Sequence, residues 1–224
     1  MFVPKLIKTF YKMRNLTDIT IILDRSGSME FIKEATVLGF NSFLQEQLKS
    51  ETDAVLTLVQ FDHEYKVVYE GVDINKVKKL SNKTFIPRGT TALLDAIGVT
   101  ISNVKNRIKL LKKDLKPKNV LIVIITDGEE NSSNKFTREQ IFKKISKKEK
   151  KDNWKFVFIG TNQDAISVGG SYGIAGSRAL SYAADDDGTV DAFKSMSKRV
   201  YMLREESLDD FAFLEEDRKI QKRK

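Results

Sequence analysis

The chain has 224 residues, 41% of them hydrophobic and 31% charged, a composition typical of a soluble globular protein, and we expect one α/β domain. It contains no cysteine and one histidine, His63, which excludes disulfide frameworks, thiolate zinc centres and cysteine nucleophiles and disfavours ordinary catalytic triads. Its 39 Lys and Arg against 31 Asp and Glu give a formal charge of +8. This charge is compatible with binding to nucleic acid or to an anionic surface, and equally with a lysine-rich exterior that binds neither.

Apolar runs rich in β-branched residues alternate with segments of helical periodicity. Two neighbouring runs are separated by only three residues, which is typical of an antiparallel hairpin at a sheet edge. In chain order we predict a strand at Asp18–Leu23, a helix at Met29–Lys49, strands at Ala54–Phe61 and Tyr65–Tyr69, a short helix at Val72–Leu80, a helix at Ala92–Lys113, a strand at Val120–Ile125, a helix at Thr137–Lys150, a strand at Lys155–Ile159, a helix at Gln163–Tyr172, a strand at Ala179–Tyr182 and a helix at Gly188–Val200.

Apolar spacing also predicts which side chains of the helices are buried. Phe31, Leu38 and Leu48 are among the positions that recur at near-helical spacing in the first helix. Near the C-terminus, a segment that holds Leu208, Phe211 and Leu214 at helical spacing predicts a short amphipathic helix that docks on the domain.

Alternation of strand and helix requires right-handed crossovers and favours a mainly parallel sheet. We therefore predict an α/β fold of the doubly wound, Rossmann-like type, with one antiparallel edge strand and helices on both faces. The predicted organisation is an N-terminal extension over residues 1–17, one domain over 18–203 and a charged tail or short helix over 204–224. No stretch reaches the roughly 18 apolar residues of a membrane span, and no secretory signal is evident, so we predict a cytoplasmic protein.

Ligands of doubly wound folds bind outside the carboxyl ends of the strands, where the strand order reverses. Three polar loops there carry oxygen donors: D-x-S-x-S after the first strand, GTT before the long helix, and TDG after the most apolar strand. Five hard oxygens suit Mg²⁺ or Mn²⁺, with Ca²⁺ as an alternative, and do not suit zinc. The candidate ligands are Asp24, Ser26, Ser28, Thr91 (with Thr90 as its alternative) and Asp127.

The charge of this site indicates a role. If one of its two carboxylates binds through water, the metal keeps Lewis acidity toward an incoming anionic oxygen, so the open position would attract a partner's carboxylate. The alternative interpretation is that Asp24 or Ser28 caps the following helix and that TDG is an ordinary turn.

At these residues the sequence resembles the von Willebrand factor type A domain, whose metal-ion-dependent adhesion site combines D-x-S-x-S with a distant Thr and a distant Asp. LDRSGSM, PRGTTALLDAIG and ITDGEEN are similar to stand-alone bacterial and phage members, and FIGTNQDA extends the likeness to about residues 18–200. The resemblance implies direct or nearly direct coordination by Ser26, Ser28 and Thr91, and coordination by the two aspartates directly or through water.

The resemblance further implies a non-enzymatic module that binds a protein presenting Asp or Glu, as a monomer or with weak self-association. We expect the residues flanking the ligands to set partner specificity, and His63 to lie on the surface, far from the metal loops. These flanking residues are Arg25, Met29, Arg88 and Glu130.

Two other functions compete with this interpretation. A Mg²⁺-dependent phosphohydrolase could use Asp24 as its nucleophile, but such enzymes resemble D-x-D, and this chain has Ser26, a poor general acid, at the second position. Nucleic-acid binding is favoured by basic clusters at Lys105–Lys118, Lys143–Lys155 and Arg218–Lys224, although Trp154 is the only aromatic residue within the middle one. The fold places the Lys-rich helix ends at the pole opposite the metal loops.

Overall fold

The computed structural model describes residues 15–161, 164–205 and 211–221. Strands and helices alternate through most of this part of the chain. The strands are β1 (Thr17–Asp24), β2 (Ala54–Phe61), β3 (Tyr65–Asp73), β4 (Asn119–Thr126), β5 (Lys155–Thr161) and β6 (Ala179–Tyr182). The helices are α1 (Lys33–Gln47), α2 (Leu93–Leu110), α3 (Arg138–Asp152), α4 (Ala165–Ser171), α5 (Asp186–Glu205) and α6 (Glu215–Ile220).

The six strands form one sheet in the order β3-β2-β1-β4-β5-β6, parallel except for β3, which pairs antiparallel with β2. Every residue of β1 and of β4 is buried, as expected for central parallel strands covered on both faces. The predicted doubly wound fold with one antiparallel edge strand is confirmed. The strand order reverses beside β1, and the carboxyl ends of β1, β2 and β4 lie next to one another.

Successive residues of each central strand face opposite hydrophobic layers. Ile21 of β1 packs in the layer that contains residues of α1 and α5, whereas Ile22 packs in the layer that contains residues of α2 and α3. In the first layer α1 and α5 approach closely because α1 has a glycine at the contact: a Cβ on Gly39 would lie 2.4 Å from Cδ2 of Phe193.

The predicted first helix differs from the structure in its start and in its buried face. Residues Gly27–Ile32 form a 3₁₀ helix, and α1 begins only at Lys33. Phe31, Leu38 and Leu48 are 91%, 57% and 43% exposed, respectively, while Phe40 is fully buried. Phe31 lies in the 3₁₀ helix, whose phase differs from that of α1, so apolar spacing carried across the junction assigned it to the wrong face. Leu38 lies two residues before Phe40, on nearly the opposite side of α1, and Leu48 follows the last residue of α1.

The helix predicted at Val72–Leu80 is wrong. Strand β3 extends to Asp73, and only one 3₁₀ turn, Ile74–Lys76, follows it. Ile74, Val77 and Leu80 are all buried, so their three-residue spacing imitated a helical face in a segment that is mostly irregular.

The predicted C-terminal amphipathic helix is also corrected. Phe211 and Leu214 precede α6 in irregular chain, and Leu208 lies outside the described residues. Phe211 and Phe213 are buried, with ring centroids 5.3 Å apart, whereas Leu214 is half exposed. Alternate residues therefore point inward as in an extended segment, and this segment does dock on the domain.

Within the described ranges, no helix is long and apolar enough to cross a membrane.

Candidate functional site

Asp24 ends β1 and fixes the loop that follows it. The backbone N–H of Ser26 donates to Asp24 Oδ1 at 2.6 Å, a local turn that aspartate favours. The other carboxylate oxygen, Oδ2, accepts a hydrogen bond from the Thr126 hydroxyl at 2.6 Å. Because Asp24 is fully buried, both oxygens are held in fixed directions.

Three side-chain oxygens meet beside this carboxylate. Ser26 Oγ lies 3.2 Å from Ser28 Oγ, and the Ser28 hydroxyl donates to Asp127 Oδ1 at 2.7 Å. Ser26 and Asp127 are both buried. Side chains that follow two different strands, 99 positions apart in the sequence, thus form one cluster at the point where the strand order reverses.

Thr91 reaches the same cluster from the loop before α2. A Cβ on Gly128 would lie 3.5 Å from Thr91 Oγ1 and 3.6 Å from Ser28 Oγ, so both hydroxyls face one small space. Thr91 is buried, whereas Thr90 is exposed. The Thr91 N–H donates to Asn131 Oδ1 at 2.9 Å, and the Asn131 N–H donates to the Thr91 carbonyl at 3.1 Å. Of the two threonines, the structure brings Thr91 to the cluster.

The two carboxylates of the cluster are desolvated. Burial raises the pKa of Asp24 to about 6, although hydrogen bonds from Thr126 and Ser26 favour its ionised form; the nearby charge of Asp127 adds to the rise. Burial also raises the pKa of Asp127, against the effect of its hydrogen bond from Ser28. None of the described ion pairs involves either carboxylate. Two buried, unpaired carboxylates create a negative potential that a cation would neutralise.

The donor set fits a hard divalent cation. It consists of hydroxyl and carboxylate oxygens, the ligands that Mg²⁺ and Mn²⁺ prefer. Across the described ranges, no group of three or more His, Cys, Asp or Glu side chains is suited to hold a metal. A metal at this cluster would therefore depend on the hydroxyls as well as on the carboxylates.

Three polar residues that support the cluster were not among the predicted site residues. Thr126 and Asn131 make the hydrogen bonds described above, and Asp62, fully buried at the end of β2, pairs with arginines of two neighbouring loops. A signal for Asp62 exists in the sequence: it follows directly on a strand that the topology places beside β1. Thr126 has a similar signal, because it ends β4 and directly precedes the predicted ligand Asp127.

His63 is exposed, as predicted, but its predicted distance from the metal loops is wrong. A Cβ on Gly89 would lie 2.2 Å from His63 Nδ1, so the imidazole ring rests against the loop that carries Thr91. Gly89 has a φ of +67°, in the left-handed region that favours glycine. Because β2 runs parallel to β1, the turn after β2 emerges at the same edge as the cluster.

Of the four residues predicted to set partner specificity, two are buried and a third, Glu130, is partly buried and held by hydrogen bonds. Met29 is fully buried and Arg25 nearly so. Glu130 accepts hydrogen bonds from the backbone N–H of Leu94 at 2.8 Å and from those of two residues of its own loop. Arg88, with 45% of its side chain exposed, remains available at the surface.

The basic side chains of α2 and α3 lie away from the cluster. Both helices begin near the carboxyl edge of the sheet, and α3 ends just before β5, so the Lys-rich end of α3 lies at the opposite edge. Trp154 is buried, and Lys148 Nζ lies 4.3 Å from the centroid of its ring. Its ring is therefore not exposed for base stacking.

Comparison with known proteins bears on this arrangement. The family model for the von Willebrand factor type A domain matches residues 18–195. No curated protein matches the chain.

Solved structures with the same fold come from distant proteins. Proximal thread matrix protein 1 from the mussel byssus, solved with a zinc-occupied MIDAS motif, is 14% identical with a TM-score of 0.55, covering 84% of this chain and 46% of its own. A von Willebrand factor type A protein from Catenulispora acidiphila is 13% identical with a TM-score of 0.52, covering 84% and 43%. The vWF domain of the pilus tip protein Mfa5 from Porphyromonas gingivalis is 10% identical with a TM-score of 0.59, covering 84% and 96%. This chain thus spans less than half the length of the first two.

Proposed function

Because the chain belongs to the von Willebrand factor type A domain family, we propose that it is a non-enzymatic protein-binding module. A divalent metal bound at the cluster coordinates an Asp or Glu side chain of the partner protein. The partner's carboxylate completes the coordination of the metal. The proposed metal ligands are Asp24, Ser26, Ser28, Thr91 and Asp127.

One observation carries this proposal. Three loops bring five oxygen-bearing side chains together at the sheet edge, and two of the five are buried carboxylates that no described ion pair neutralises. Ser28 Oγ contacts both Ser26 Oγ and Asp127 Oδ1. A cluster held together by hydroxyl–carboxylate hydrogen bonds alone would leave buried negative charge uncompensated, which is unfavourable in a folded protein. A bound cation removes that cost, and hydroxyl ligands leave it enough positive charge to attract an anion.

Mg²⁺ or Mn²⁺ is the proposed ion, with Ca²⁺ as an alternative, because the ligands are all oxygens. Zinc occupies the motif in the mussel protein, so zinc belongs in the same titration series. Saturation at about 100 times the dissociation constant would stabilise the protein by about 2.7 kcal/mol.

The test combines metal binding with partner capture. Wild type should show a saturable Mg²⁺-dependent rise in melting temperature and should retain a partner from a lysate with Mg²⁺ but not with EDTA. Asp24→Ala should lose both properties while keeping the circular dichroism spectrum of the wild type. Full Mg²⁺ stabilisation of this variant would rule out the site.

Localisation in the cytoplasm, origin in a bacterium or phage, and monomeric or weakly associated state stay predictions from sequence, as does the division at residues 17 and 203. Phosphohydrolase activity is the enzyme alternative. Turnover of a phosphate monoester that Asp24→Asn abolishes, without effect on partner capture, would favour it over the binding module.

A further inference from the structure

An ion-pair cluster around one buried carboxylate connects the loops that carry the proposed ligands. Asp62 is fully buried. Its Oδ2 lies 3.1 Å from Nε of Arg25 and accepts a hydrogen bond from Nε of Arg88 at 2.9 Å. Arg88 also pairs with Glu64. We call the contacts of Asp62 with the two arginines the Asp62 clamp.

Both arginines lie close to proposed metal ligands in the sequence. Arg25 lies between Asp24 and Ser26, two proposed ligands, and Arg88 lies three residues before Thr91, a third one. One buried carboxylate therefore holds the loop after β1 and the loop before α2 at the same time.

Backbone hydrogen bonds add to this connection on both sides. The Arg88 N–H donates to the Arg25 carbonyl at 2.8 Å, and the Gly27 N–H donates to the Gly89 carbonyl at 3.1 Å. The segment that contains Thr91 is anchored at both ends on Asp62, since the Ala92 N–H donates to the Asp62 carbonyl at 3.0 Å.

We propose that the Asp62 clamp positions Thr91 relative to the D-x-S-x-S loop, so that Arg88 and Asp62 are positioning residues for metal binding without being ligands. The inference rests on the proposed function. Partners that orient metal ligands typically change metal affinity by about 10- to 100-fold when they are removed. Together with Glu64, which also pairs with both arginines, Asp62 offsets the charge of two guanidinium groups beside a cation site.

Arg88 allows a test in which the two physical effects have opposite signs. Removing a positive charge near a cation site would by electrostatics alone tighten Mg²⁺ binding, whereas losing the clamp should weaken it. Arg88→Gln is preferable to Asp62→Asn because Arg88 is partly exposed, while Asp62→Asn would remove the buried counter-charge of Arg25 and leave it only the longer contact with the exposed Glu64 at 3.8 Å, which would destabilise the fold.

The experiment is calorimetric titration of the metal-free full chain with Mg²⁺ for wild type, Arg88→Gln, Arg88→Lys and the control Arg178→Gln. Arg178 pairs with Glu149 at 2.7 Å and directly precedes β6, at the edge opposite the cluster. The control therefore makes the same charge change far from the site.

We expect the dissociation constant for Mg²⁺ to rise about tenfold in Arg88→Gln, and Arg88→Lys to restore little of it because lysine cannot contact Asp62 and Glu64 with a planar fork. Arg178→Gln should bind like wild type. An unchanged or lower dissociation constant in Arg88→Gln, beside normal wild-type binding, would overturn the clamp alone. Full restoration in Arg88→Lys would still support the clamp, because a charge effect alone would tighten binding in Arg88→Gln, and it would show that one ammonium–carboxylate pair is sufficient to hold the loop. Wild type without saturable binding would overturn the clamp and the proposed function together.

Discussion

Replacing Asp24 with Asn should make the metal-free protein more stable relative to wild type as the pH rises. Burial raises the pKa of Asp24 from 3.8 to about 6, so between these values the native state keeps a proton that the unfolded state has released. The free energy of unfolding of wild type therefore falls as the pH rises through this window. The difference of roughly two pKa units corresponds to about 3 kcal/mol, lost in full above the folded-state pKa.

The Asn side chain cannot ionise and can keep the local hydrogen bonds. Its Oδ1 can accept from the Ser26 N–H, and its amide can donate to the Thr126 hydroxyl, the two groups that contact Asp24 in wild type. The free energy of unfolding of Asp24→Asn minus that of wild type should thus increase by about 2.4 kcal/mol between pH 4 and pH 7, because the unfolded-state carboxyl is already partly ionised at pH 4. Most of the increase should occur below pH 6.

The assay is urea denaturation in EDTA at several pH values, followed by the fluorescence of Trp154, the only tryptophan and a buried one. Mg²⁺ at pH 7 and about 100 times its dissociation constant should shift the difference by about 2.7 kcal/mol in favour of wild type, because only wild type gains binding energy. If the free energies of unfolding of the two proteins differ by an amount that stays constant within about 0.5 kcal/mol across the pH range, then folding does not raise the pKa of Asp24.

Three further predictions concern separate parts of the molecule. In scanning fluorimetry, Thr91→Ala should abolish Mg²⁺-induced stabilisation, whereas Thr90→Ala should retain it. An equal loss of stabilisation in both variants would contradict the choice of Thr91 over Thr90 as the metal ligand. Gly39→Ala should lower the free energy of unfolding by about 1–3 kcal/mol in urea, because its Cβ would overlap the Phe193 ring, and a neutral result would show that α1 and α5 separate easily. Glutamine replacements of the lysines in Lys143–Lys151 should leave the dissociation constant for Mg²⁺ unchanged in calorimetry, and a change above about threefold would show that the basic pole and the cluster are coupled.

The local sequence pattern was sufficient to predict the parallel sheet and to select the residues that cluster at its edge. The apolar runs of β1 and β4 end in polar turns, and parallel connection brings such turns to one edge. Asp24, Ser28 and Asp127 could be selected for that reason before any contact was known, and the structure brings them together.

Features that depend on contacts between distant segments could not be predicted in this way. The end of β2 indicates at which edge of the sheet Asp62 lies, but not its pairing with two arginines, 37 and 26 positions away in the sequence, since 62 − 25 = 37 and 88 − 62 = 26. The exposed position of Phe31 depends on where a 3₁₀ helix gives way to α1, a change of helical phase that apolar spacing does not encode.

The proposed metal site predicts that one divalent ion binds among the five oxygen-bearing side chains. A crystal of the wild-type protein soaked in Mn²⁺ and measured for anomalous scattering tests this prediction most directly. We expect a strong anomalous peak within about 2.0–2.3 Å of Ser26 Oγ and Ser28 Oγ, with the carboxylates of Asp24 and Asp127 bound directly or through water, and no such peak in Asp24→Ala. A Mn²⁺ peak elsewhere with none at this cluster, or the same peak in Asp24→Ala, would contradict it.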